Sequence, residues 1–279
     1  MNFWIGILNI LRSEMTTPNV FGWYHILWLG ITVGATVLLC TRFRNCAPET
    51  IRKVVFAVAA LVAVLEIYKQ IVFTFSVEDG TIVADYQWYA FPWQFCSTPM
   101  YVGLLTGIFR KGKVHDALFA YLATYSVFAG LCVMIYPGDV FIGMIGINIQ
   151  TMICHGSMIA IGVWLLATGY VKLEHRTLRK AACVFAGTVA VAMILNEVTW
   201  YTNLTGGETF NMFFISPHWE GTLPVYSLVQ KVVPYPWCLV IYIAAFTAAA
   251  YVVLLAAMAI CQGLRRGSKS REVASKAMV

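Results

Sequence analysis

Seven apolar stretches separated by connections that alternate between basic and non-basic constrain this chain more than any motif in it. They cover about 21–40, 54–75, 88–109, 117–136, 143 or 148 to 170, 181–201 and 236–262. A membrane span needs about 20 mostly apolar residues, so these stretches use most of the chain and leave no room for a separate soluble domain. Only 11% of the residues are charged, where a soluble domain carries about 25%. The expected unit is one polytopic, all-α membrane bundle in the cell membrane.

The basic residues set its predicted orientation. Of 19 Lys and Arg residues, all but Arg12, Lys69 and Lys231 follow stretches one, three, five and seven. That alternation predicts seven transmembrane helices with the N-terminus outside and the C-terminus cytoplasmic. The net charge of +6 therefore reports orientation and anionic lipid, and nucleic acid is not an expected partner. Residues 1–20 read as a short interfacial segment and 263–279 as a disordered tail around the 21–262 membrane domain. A retinal protein is disfavoured, because the seventh stretch has no lysine for a Schiff base.

Ionisable and amide side chains inside a bilayer face a cavity or one another. Cys96 in stretch three and His155 in stretch five both fall roughly 10 to 18 Å below the outer edge at 1.5 Å per residue. His25, Glu66, Lys69 and Asn196 occupy the same outer half, which predicts a polar pocket open to the outer side. Asn148, Thr151, Met152 and His155 share one helical face, as a pocket-lining stripe or as helix-to-helix glue. Glu66 and Lys69, three residues apart, either neutralise each other or bind a lipid headgroup. Pro92 suits the first turn of a helix, which would put Cys96 near its positive end. His155 as base, oriented by Asn148 or Asn196, would then make Cys96 a nucleophile for acyl transfer, with Gln94 or a backbone N–H serving the oxyanion.

None of the eight cysteines lies in a predicted outer loop or a CxxC pair, so neither a disulfide framework nor a metal site is expected. No cofactor signature is present. His115 and His175 fall in basic connections and are expected to be solvated, whereas His218 could reach the pocket mouth. The connection 202–233 is too long and too aromatic for a simple link, and reads as a lid or an interfacial helix. Asn203-Leu204-Thr205 within it is formally a glycosylation sequon.

His25, Phe91-Pro92-Trp93-Gln94-Phe95-Cys96, His155, the run Leu204-Thr205-Gly206 through Asn211-Met212-Phe213 to Pro217, and Pro236-Trp237 together resemble the YwaF-like family of integral membrane proteins. The resemblance covers nearly the whole chain. An animal relative in that family is a phospholipid acyltransferase in which a cysteine and a histidine are implicated. The resemblance implies those roles for Cys96 and His155, membrane lipids as substrates, and a pocket that includes Asn211. Two departures are visible. The usual bacterial pattern is nearer Leu-Pro-Leu-His-Leu-Cys, where this chain has Gln94 before Phe95-Cys96, and Glu208-Thr209-Phe210 is inserted before Asn211.

The leading expectation is a membrane-embedded Cys-His acyltransferase. A transporter or ligand-binding protein with the same polar cavity is the first rival. The second is an assembly factor for a membrane complex, with a membrane-protein partner docking on the outer loop.

Overall fold

The computed structural model describes the backbone of residues 3–276 and the side chains of residues 3–263 other than Pro224. It opens with a short apolar helix, α1 (Phe3–Leu11). Six helical units among the described residues are long and apolar enough to cross a membrane. They are α2 (Trp23–Arg42), α3 (Pro48–Val72), the contiguous pair α5 (Gly112–Ala123) and α6 (Tyr125–Ile135), α7 (Ile145–Ala167), α8 (His175–Thr202) and α10 (Trp237–Lys276). The tail expected to be disordered, 263–279, instead continues the backbone of α10 as far as Lys276, and 277–279 lie outside the described residues.

Burial sorts these helices into a centre and a rim. The α5–α6 unit and α7 each have 72% of their apolar window buried, against 17–33% for α2, α3, α8 and α10. Ile31 and Val37 of α2, Val64 and Ile67 of α3, and Ile194 and Val198 of α8 are exposed. In water such continuous apolar faces would aggregate. Against lipid tails they are the required contact, because every backbone group of a helix is already satisfied internally.

The third predicted segment, 88–109, departs from a single span. Two 3-10 turns, Trp88–Ala90 and Phe95–Ser97, lead into α4 (Thr98–Ile108), which packs against α3 and α5. Its 11 residues reach about 16 Å, roughly half the hydrocarbon thickness. The proline that opens this helix is Pro99, within its first turn, not Pro92. Pro92 lies in the irregular entry, where its carbonyl accepts from the Tyr101 hydroxyl at 2.9 Å. Irregular backbone at this depth survives only when protein covers it. Here the Trp93 indole donates to the Thr188 carbonyl of α8 at 3.2 Å, and Phe95 packs among Phe185, Phe213 and Phe246.

A small sheet interrupts the helical pattern. Strands β1 (Phe75–Glu78) and β2 (Thr81–Ala84) pair antiparallel around Asp79-Gly80, whose φ values of +47° and +75° suit a two-residue hairpin turn. The Asp-Gly pair was the available signal, and the acidic loop around it masked the alternation. Arg12 ties this end together, donating to the carbonyls of Val72 at the end of α3 and of Phe75 in β1. A guanidinium on terminal helix carbonyls also complements the helix dipole.

A candidate polar site under the outer loop

Three amide side chains hold irregular backbone by pairing with both of its faces. Asn196 of α8 accepts from the Met212 N–H at 2.7 Å and donates to the Met212 carbonyl at 3.0 Å. Gln94 accepts from the Phe213 N–H at 2.9 Å and donates to the Asn211 carbonyl at 3.2 Å. Asn148 clamps Ile142 in the same way, accepting at 3.0 Å and donating at 2.7 Å. Each imitates a strand partner, which is how a buried chain without regular structure satisfies its polar groups.

The connection 202–233 is therefore a plug, not a solvated loop. Met212 and Phe213 are fully buried and Phe210 and Ile215 nearly so. Asn211 folds the plug on itself, accepting from Ser216 N–H at 2.9 Å with its amide turned toward the Trp219 and Glu220 carbonyls. A short helix, α9 (Pro224–Val232), returns the chain to α10 with Val225, Leu228 and Val232 exposed along it. Gln94 spends one of its two amide N–H donors on the plug, which fixes the direction in which the second points.

Beneath the plug lies a second polar group. The Glu66 carboxylate meets Lys69 Nζ at 2.7 Å, accepts from the Gln70 amide at 2.8 Å and is approached by the Gln150 amide at 3.4 Å. The Gln70 amide nitrogen also donates to the Ala90 carbonyl, and its oxygen accepts from Tyr86 at 2.7 Å. Gln150 carries the group onto α7, where Thr151 Oγ1 lies 3.4 Å from its amide oxygen. Gln70, Tyr86 and Gln150 were not among the residues the sequence pointed to. Gln70, one turn beyond Glu66, was the legible one.

His155 sits next along that face of α7. Its Nδ1 lies 2.7 Å from the Thr151 carbonyl, which can only accept, so Nδ1 carries the proton. In the neutral ring, Nε2 is then a bare lone pair, and it is buried with no hydrogen-bond partner among the described residues. Gly130 of α6 and Gly156 of α7 allow this crowding. A Cβ on Gly130 would lie 2.7 Å from the His155 carbonyl, and one on Gly156 would lie 2.5 Å from Thr32 Oγ1.

Cys96 occupies the 3-10 turn immediately before α4 and is partly exposed. Its level matches this step of α7, because Cys154 Sγ lies 4.0 Å from the Cys96 carbonyl oxygen. The thiol facing Cys96 is thus that of Cys154, with His155 about 100° further round the helix. Among the described residues no hydrogen bond joins the Cys96 thiol to the His155 ring, and no cluster of three or more His, Cys, Asp or Glu could hold a metal.

His25 is fully buried, and both of its ring nitrogens bond to backbone. It accepts from the Phe21 N–H at 3.0 Å, tying down the entry to α2, and holds the Met134 carbonyl through Nε2 at 2.8 Å, which braces α2 against α6. His218 stacks on Trp200 and lies 3.0 Å from Glu197. His175, expected to be solvated, is exposed and bonds to the Tyr251 hydroxyl, whereas His115, expected to be solvated too, is partly buried and bonds to the Tyr170 hydroxyl.

A bundle with six spans, a half-length helix and a buried polar group defines a multi-pass membrane protein of the kind that houses enzymes and transporters. The chain belongs to the TMEM164 family, which it matches over residues 20–256. That match takes in the Cys96 stretch, His155 and the whole plug. No curated protein and no solved structure matches it.

Proposed function

We propose that the protein is a membrane-embedded acyltransferase acting on lipid or lipid-linked acyl groups through Cys96 and His155, in which the irregular entry 88–97 and α4 together make a seventh crossing, so that the N-terminus lies outside and the C-terminus in the cytoplasm. The observation that supports this most is the His155 ring, with its tautomer set by Thr151 and a bare Nε2 buried at the level of Cys96. In the proposed reaction His155 takes the Cys96 proton as the sulfur attacks an ester carbonyl. The tetrahedral adduct collapses to a thioester as the C–O bond breaks, and His155 returns the proton to the departing alcohol. An acceptor hydroxyl, deprotonated by the same ring, then attacks the thioester, and the departing thiolate takes that proton back from His155 to restore the resting pair. The ring must come within hydrogen-bond reach of Cys96, a motion the packing at Gly130 limits.

The test is thiol labelling across pH and intact mass in nanodiscs, comparing wild type with H155A, C154S and C96A. Labelling of Cys96 that slows in H155A, is blocked by an acyl donor and is accompanied by an acyl mass on the Cys96 peptide supports the reading. Full transfer activity in C96A, or no acyl-thioester with any phospholipid donor offered to folded protein, ends it.

A second reading, a proton-coupled transporter, draws on the buried Glu66–Lys69–Gln150 group, whose charges at membrane depth are of the type that mark ion pathways. Uptake into proteoliposomes that is lost in E66Q and retained in C96A would favour it.

A further inference from the structure

The opposite end of the bundle holds a cleft with no part in the chemistry above. It measures about 1290 Å³ and lies between the starts of α3, α5 and α8 and the connections preceding them. Phe119, Ala120 and Val184 form an apolar floor, and the rim is basic. Two of the rim cations are neutralised in place: Arg52 by Glu49, and Lys180 by Asp116 at 2.8 Å. Arg110, Lys111, Lys113, Lys172 and Arg176 make no ion pair among the described residues, and the remaining carboxylate of the lining is Glu174.

A membrane protein collects basic residues on one side, but that rule does not arrange them around a cavity. Arg42 and Arg44 follow the first span, are exposed, and line no part of this cleft. The three helices that begin at its rim also lack side-chain caps, so their leading N–H groups add positive ends to the cations already there.

We propose that this cleft binds a phosphate-bearing ligand, either the headgroup of an anionic phospholipid or a soluble phosphate compound. Unpaired lysine and arginine supply charge-assisted bonds to phosphate oxygens, the volume admits more than a lone phosphate, and the apolar floor accepts the body of the molecule. The site is independent of Cys96.

The experiment uses the full chain in neutral phosphatidylcholine nanodiscs. One arm adds phosphatidic acid and counts retained lipid by native mass spectrometry, and the other titrates inorganic pyrophosphate and follows binding and thermal stabilisation. Saturable binding in either arm, weakened at least tenfold in K113Q/R176Q and restored in K113R/R176K, supports the site. The arm that responds identifies the source. The control R42Q/R44Q removes equal charge from exposed positions outside the cleft and is expected to bind as wild type. Should K113Q/R176Q fail to fold, the exposed-loop variant K111Q reads the same site with an expected loss of about threefold. No saturable binding in either arm, or an equal loss in R42Q/R44Q, overturns the proposal.

Discussion

Removing Glu66 tests the buried polar group most directly. The side chains of Glu66 and Lys69 are only 8% and 16% exposed, and the carboxylate is the anion 2.7 Å from the ammonium. Glu66→Ala strands a desolvated ammonium and also removes the acceptor used by Gln70 and Gln150. Breaking one member of a buried pair costs about 3–5 kcal/mol. Removing both charges is much milder, because neither partner is left uncompensated. The expected order of unfolding free energies in mixed micelles is therefore wild type, then E66A/K69M within about 2 kcal/mol of it, then E66A at about 3–5 kcal/mol below. Denaturation by SDS, followed by far-ultraviolet circular dichroism with the four proteins of the mutant cycle, measures it, and the pairwise coupling should exceed about 1 kcal/mol. If E66A/K69M is as unstable as E66A, the ammonium is solvated and the group does not form the closed network described here.

Three further outcomes follow from the packing. Asn196→Leu leaves the Met212 N–H and carbonyl unpaired in the interior and should destabilise by about 2–4 kcal/mol. Limited proteolysis should then cut between residues 203 and 223 several-fold faster than in wild type. Gly130→Leu forces side-chain atoms against the His155 carbonyl and should lower the melting temperature well beyond Gly187→Leu, where a Cβ meets nothing within 4 Å. Arg12→Met frees the carbonyls of Val72 and Phe75, and should raise hydrogen exchange in α1 and the β1–β2 hairpin while leaving α7 unchanged.

The class of the molecule was legible in its sequence because the bilayer imposes one rule on all backbone: each span must be long, apolar and internally bonded. Helices α2 and α7 follow from that rule within about three residues, and α3 and α8 begin six residues earlier than hydropathy alone suggests. The half-length α4 did not, since hydropathy over 88–109 is the same whether the chain is helical or irregular. Only the cover supplied by Thr188, Phe185 and Phe213, all distant in sequence, makes the irregular form affordable. The relative level of residues 96 and 154 was also legible, because rise per residue is nearly constant along a helix, and Cys154 Sγ lies 4.0 Å from the Cys96 carbonyl oxygen. Azimuth was not, since it depends on which neighbour each face meets. Asn148, Gln94 and Asn196 announced that something polar lay at membrane depth, and tertiary structure alone showed that they bond the backbone of distant segments. The sequence determined the residues and their levels; the packing of α6 on α7 and of the plug on α8 decided their partners.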